Sequence, residues 1–184
     1  MPVYTILQLI FFVTEVSLLL FKRSKTTINN NRDKRSLLIL WVVIVTGSTL
    51  GPDISVHGIW SMTGINVTYA GIAVFAIGFI IRWAAVIQLG KMFTVDVAIV
   101  DKHSLKTNGL YKIVRHPSYL GLILIIIGLA LCLNNWLSLL VMVILDFIAI
   151  NYRISVEEKA LTEQFGEQYT TYKTRVKKLV PYIY

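Results

Sequence analysis

Long apolar runs alternate with short basic segments along the whole chain, and this alternation limits the fold more than any motif does. Pro2 to Phe21 supplies about the twenty apolar residues needed to cross a bilayer core of about 30 Å. Further runs extend from about Ser36 to Leu50, Ile65 to Leu89, Ser118 to Leu133 and Trp136 to Tyr152. The 55% hydrophobic share and mean hydropathy of +0.67 exceed the roughly 45–50% apolar share of an ordinary soluble domain. The pattern predicts an all-α integral membrane protein of about five transmembrane helices. Residues 1–184 read as one membrane domain, with three spans in 1–89 and a loop, a hairpin and a C-terminal helix in 90–184. The first run lacks a basic start and a small-residue cleavage site, so it reads as a retained helix rather than a signal peptide.

Local signals divide the chain further. Lys22 to Arg35 holds six basic residues against Asp33, and Asn29-Asn30-Asn31 marks it as a loop. Gly51-Pro52-Asp53 ends the second run, and Asn134-Asn135, good turn and cap residues, join the last two runs as a tight helical hairpin. Ala70, Gly71, Ala73, Ala76 and Gly78 permit close helix approach in the third span, whose Arg82 lies near enough to the far end to snorkel outward. Thr94 to Val100 is β-branched and weakly alternating, which suits a short extended piece. After Arg153, Val156, Ala160, Leu161, Phe165, Tyr169 and Tyr172 recur at helical spacing, predicting a C-terminal amphipathic helix on the cytoplasmic side. Gln8, Glu15 and Asp146 fall inside apolar runs, where an ionisable group is a functional candidate by default. Glu15 reads as facing the bundle interior and pairing with a neighbouring helix, and Asp146 as a buried polar partner.

Charge sets orientation and excludes some functions. Of the 18 basic residues, six lie in Lys22 to Arg35, five in Lys91 to Arg115 and six in Arg153 to Lys178, leaving Arg82. Five spans put all three groups on one face, which the positive-inside rule makes cytoplasmic, with the amino terminus outside and the carboxyl terminus inside. The net charge of +8 therefore reads as a topology signal and not as a nucleic-acid surface. The single cysteine, Cys132, lies in an apolar run and reads as a small hydrophobe. Of three histidines, His57 falls on the opposite face, and His103 and His116 match no compact ligand spacing, so no metal site is expected. No glycine cluster suited to cradling phosphates is present.

Thr107 to Gly121, T-N-G-L-Y-K-I-V-R-H-P-S-Y-L-G, stands apart from these connectors. Tyr111, Arg115, His116 and Tyr119 crowd polar side chains at a membrane boundary, and Pro117 suits the first turn of the next helix. A hairpin returns the chain to its starting end, so Arg115, His116 and Tyr119 come near Arg153, Glu157 and Glu158. Arg153 and Glu157 are four apart and share a helix face, an arrangement equally open to a plain interfacial salt bridge. Convergence of an arginine, two carboxylates, a histidine and tyrosines favours a ligand that carries both a carboxylate and positive groups.

Those residues also carry a resemblance. Gly109 to Gly121, an apolar hairpin, R-I-S-V-E-E-K-A-L from Arg153, F-G-E-Q-Y-T-T-Y from Phe165 and a terminal proline together resemble the isoprenylcysteine carboxyl methyltransferase family of integral membrane methyltransferases. The likeness covers about Leu89 to Tyr184, and R-H-P-x-Y-x-G with the distal E-E and F-G-x-x-Y is specific in combination. It implies S-adenosylmethionine as methyl donor, with S-adenosylhomocysteine as product. Leu110, Tyr111, His116, Pro117 and Tyr119 would contact this cofactor, with Glu157 and Glu158 closing the other side. Arg153 corresponds to the substrate-side arginine, oriented by Glu157, and these two are the catalytic candidates. The implied acceptor is a lipophilic small molecule or prenylated protein drawn from the bilayer, most simply through its carboxylate; an amine or thiol would need Glu157 or His116 as base. The V-P-Y-I-Y ending is shared with NADPH-dependent sterol reductases, but their acidic residue after the tyrosine-glycine motif is replaced by Leu122. A transporter or scaffold is the remaining alternative, against which stand spans without Gly/Pro-broken pairs.

Overall fold

The computed structural model describes residues 2–21, 31–57, 60–62, 65–90, 93, 105–181 and 183–184. They form helices α1 (Pro2–Phe21), α2 (Asn31–His57), α3 (Ile65–Leu89), α4 (Pro117–Cys132), α5 (Trp136–Phe165) and α6 (Glu167–Arg175), with a 3-10 helix at Gly109–Lys112 before α4. Most of the expected Lys22-to-Arg35 loop, the extended piece at Thr94 to Val100, and His103 fall outside the described residues.

Helices α1, α2, α3 and α5 are long and apolar enough to cross a membrane. Helix α4 is equally apolar but has 16 residues, about 24 Å at 1.5 Å per residue, against a core of about 30 Å. Ile6, Leu9, Val13, Val42, Ile80 and Ile148 are exposed on the outer faces of the bundle. Such faces are stable in lipid and not in water, and the chain is an integral membrane protein.

Two seams hold the bundle. In the first, α3 meets α4 through glycines that repeat every seven residues, Gly71 and Gly78 on one helix and Gly128 and Gly121 on the other. A β-carbon at Gly78 would stand 2.7 Å from Ile125 N and 2.8 Å from Gly121 O. One at Gly121 would stand 2.6 Å from Arg82 N. The obstacles are backbone atoms, so they cannot rotate away, and the small-residue stripe expected in the third span is used for close approach. Gly78→Val is expected to destabilise the protein by about 3 kcal/mol, measurable as a lowered Tm in detergent. An unchanged Tm would contradict this packing.

The second seam joins α2 to α5. Ser138 Oγ donates to Gly51 O at 2.8 Å near one end, Gly47 faces Asp146 midway, and Asp33 and Ser36 meet Arg153 at the other end. Asn135 caps α5 by accepting from Ser138 N at 3.0 Å, and Asn134 takes a φ of 52°, so the two asparagines make the α4–α5 turn as expected.

Three boundaries differ from the sequence reading. The Gly51-Pro52-Asp53 stretch does not end α2, which continues to His57 with Pro52 inside it. Proline at 52 cannot donate to Ser48 O; Tyr4 Oη (2.9 Å) and Gln8 Nε2 (3.4 Å) from α1 donate to that carbonyl instead. Residues Asn31 to Arg35 are not loop but the opening of α2, with Asp33 in its first turn, where negative charge is favoured. The amphipathic helix expected after Arg153 is two pieces: α5 runs unbroken to Phe165 because nothing between Tyr152 and Phe165 stops it. Gly166, at a φ of 52°, then turns the chain into α6.

Candidate functional site

The segment from Gly109 is shaped by partners on either side. Gly109 has a φ of 61°, and the following Leu110 N donates to Gln88 Oε1 at 2.9 Å, fastening the 3-10 turn to the end of α3. Tyr111 is buried; its hydroxyl donates to Ala85 O at 3.3 Å, and its own carbonyl accepts from Tyr172 Oη of α6. The tail then backs the loop. Arg115 N donates to Lys177 O (2.8 Å) and His116 N to Lys178 O (3.1 Å). Pro117 opens α4, where its missing donor has no partner to lose. Burial raises the phenols of Tyr111, Tyr169 and Tyr172, the last to about 12, and Glu157 adds to the rise at Tyr111; all stay protonated at neutral pH.

The hairpin does return α5 to the start of α4, and the predicted polar groups meet there in two clusters. In the first, Glu158 accepts from Arg115 Nε (2.9 Å) and Nη2 (2.8 Å), lies 3.2 Å from His116 Nε2, and pairs with Lys173 Nζ at 3.3 Å. Arg115 Nη1 also donates to Val176 O, so one arginine ties α5 to the tail. In the second cluster, the Tyr119 phenol comes within interaction range of the side chains of both Arg153 and Glu157. Glu157 Oε2 stands 4.0 Å from His116 Nδ1 and connects the clusters. The two carboxylates differ in availability: the Glu158 side chain is 10% exposed among cations, whereas Glu157 is 30% exposed.

Among the described residues, Arg153 is the largest of the fully buried side chains, at 1% exposure. Its Nη1 donates to Asp33 Oδ1, to Asp33 O at 3.1 Å and to Ser36 Oγ at 2.7 Å. Asp33 and Ser36 were invisible as site residues in the sequence, although a lone acid among six cations at the head of an apolar run was the available signal. Lys173 and Gln88 were likewise missed, because their side chains meet segments remote in sequence, and so were the carbonyls of Val176 to Lys178, because backbone acceptors carry no residue-type signature.

A third polar group lies behind Ser118. Arg82 does not snorkel outward: it is 7% exposed and forms a two-pronged ion pair with Glu15 of α1. Its Nη1 also donates to Ser118 O (3.1 Å) and Oγ (3.0 Å). The carboxylate supplied by α1 holds it inside, since a buried arginine with such a partner has no reason to extend. Glu15 thus has the neighbouring-helix partner expected of it. Asp146, expected to be a buried polar partner, is 2% exposed and faces Gly47. Among the described residues, no group of three metal-ligating side chains comes together.

Comparison with known proteins matches this arrangement. The chain is 34% identical over 119 residues to a probable protein-S-isoprenylcysteine O-methyltransferase of Oryza sativa subsp. indica, covering 64% of this chain and 62% of the rice protein. It is 32% identical over 126 residues to protein-S-isoprenylcysteine O-methyltransferase of Schizosaccharomyces pombe, covering 65% and 53%. The chain thus spans less than two thirds of the length of these curated relatives. A solved structure of the eukaryotic intramembrane Ras methyltransferase ICMT superposes with a TM-score of 0.60 at 26% identity, covering 85% of this chain and 55% of that one. The profile of the isoprenylcysteine carboxyl methyltransferase (ICMT) family matches residues 71–163, which hold α3 from Gly71 onward, the 3-10 turn, α4, α5 as far as Glu163 and all of Arg115 to Glu158. With its folded hairpin and its paired polar clusters inside that matched stretch, the chain belongs to the isoprenylcysteine carboxyl methyltransferase family.

Proposed function

We propose that the protein transfers a methyl group from S-adenosylmethionine to the carboxylate of a lipophilic, S-prenylcysteine-like acceptor at the cytoplasmic membrane boundary. The observation that carries this reading is the closure of the Arg115-to-Tyr119 element onto Arg153, Glu157 and Glu158. The residues fit such a cofactor. Glu157 is a partly exposed carboxylate beside His116 and Tyr119, suited to a ligand with positive sulfonium and ammonium groups, while the histidine, the tyrosines and backbone donors suit its carboxylate. Leu110, Tyr111, His116, Pro117, Tyr119 and Glu157 line that side, and Glu158 contributes by holding Arg115 and His116 in place.

The bound cofactor supplies an activated methyl group on a sulfonium. This chain's residues then have three tasks. The Arg115–Glu158–His116 cluster shapes the loop; Arg153 orients an acceptor carboxylate by a forked pair of donors; the apolar bundle keeps water out. A carboxylate acceptor is already anionic, so no strong base is required and Glu157 stays free to bind and orient.

The five-span topology belongs to the same proposal. Helix α4 is antiparallel to α5 and apolar throughout, and counting it as a crossing leaves the starts of α2 and α4 and the Arg153 end of α5 on one face. That face carries the basic segments, which makes it cytoplasmic, with α6 lying along it and the amino terminus outside. Calorimetry on the purified protein should show saturable S-adenosylhomocysteine binding and none of NADPH. NADPH binding with no S-adenosylhomocysteine binding at millimolar concentration would favour a reductase.

A further inference from the structure

We infer that Asp33, with Ser36, is a positioning residue for methyl transfer: the first turn of α2 holds the Arg153 guanidinium where it can receive an acceptor carboxylate. The inference rests on the proposed function. It also goes beyond the 71–163 stretch matched by the family, since it gives a role in the reaction to a helix outside that stretch.

Three observations carry it. Arg153, Asp33 and Ser36 are all buried, at 1%, 1% and 0% exposure, so the arginine is fixed by protein groups and not by water. Three contacts from α2 fall on one nitrogen: Nη1 donates to Asp33 Oδ1, Asp33 O and Ser36 Oγ. Ser36 Oγ in turn donates to Asp33 O at 2.9 Å, locking the turn that presents both residues. On the other side, Tyr119 and Glu157 interact electrostatically with Arg153, so the guanidinium stands between an α2 clamp and the cofactor-side cluster. A guanidinium is a rigid planar fork, and fixing one corner fixes the direction of the rest. Asp33 therefore acts through Arg153, without touching cofactor or acceptor, in the way a supporting shell preorganises a site.

The test uses the full-length protein with S-adenosylmethionine and N-acetyl-S-farnesylcysteine as probe acceptor. For Asp33→Asn, kcat/KM for the acceptor should fall about tenfold or more while S-adenosylhomocysteine affinity moves less than about threefold. Ser36→Ala should show the same split more weakly. Wild-type kcat and KM in Asp33→Asn would overturn the inference. So would parallel loss of cofactor affinity and Tm in both variants, which is the signature of a structural clamp alone. Failure of the underlying reading looks different: wild-type protein that binds S-adenosylhomocysteine but never methylates the probe contradicts the prenylcysteine acceptor, and the inference falls with it.

Discussion

Arg153→Lys is expected to lower kcat for a carboxylate acceptor by about a hundredfold while leaving S-adenosylhomocysteine affinity within about threefold. Lysine keeps the positive charge that Asp33 requires, so the buried carboxylate is not left alone and the fold survives. What it loses is the planar fork. The α2 clamp bonds this one guanidinium and the Tyr119–Glu157 side acts on it electrostatically, and an ammonium on a flexible stem cannot serve two directions while presenting parallel donors to a carboxylate. Single-turnover methylation in detergent, read beside calorimetric cofactor binding, separates the effects. Cofactor affinity falling in step with turnover would make Arg153 a cofactor contact instead of an acceptor contact.

Glu158→Gln should have the opposite signature. Its carboxylate gathers Arg115, His116 and Lys173, three basic side chains from the loop before α4 and from α6. Neutralising one member of a buried, hydrogen-bonded cluster costs about 3 kcal/mol, because the remaining charges are left unbalanced. That free energy holds the loop that carries His116 against α5 and the tail, so S-adenosylhomocysteine affinity should fall about a hundredfold, with Tm lowered as well. A Glu158→Gln protein with wild-type affinity would show that the cluster does not shape the cofactor side.

Both expectations draw on contacts of unequal visibility in the sequence. The convergence of Arg115, His116 and Tyr119 with Arg153, Glu157 and Glu158 was legible, because a hairpin returning on Asn134-Asn135 must bring its two ends together. Glu15 was legible as a bundle-facing, paired residue, but Arg82 as its partner was not: spacing within α3 carries no information about which helix packs alongside it. Asp33 and Ser36 were hidden for the same reason, since α2 and α5 are far apart in sequence and meet through a seam of Gly47, Gly51, Met142 and Ser138. Pro52 misled more directly. Its local preference is to end a helix, and it is overruled by Tyr4 and Gln8 satisfying the carbonyl it frees, a tertiary contact that no local rule contains. The break between α5 and α6 was misplaced because amphipathic spacing continues across Gly166, while the backbone turns there.

Methylation of a lipophilic carboxylate by this divided polar cluster would leave a methyl ester as its product. Incubating the purified protein with methyl-labelled S-adenosylmethionine and N-acetyl-S-farnesylcysteine tests it most directly, because a methyl ester releases its label as methanol in alkali whereas an N-methyl or S-methyl product does not. Alkali-labile label is expected in the farnesylcysteine fraction, lost in Arg153→Lys. Alkali-stable label, or no transfer to this acceptor by protein that binds S-adenosylhomocysteine, would contradict it.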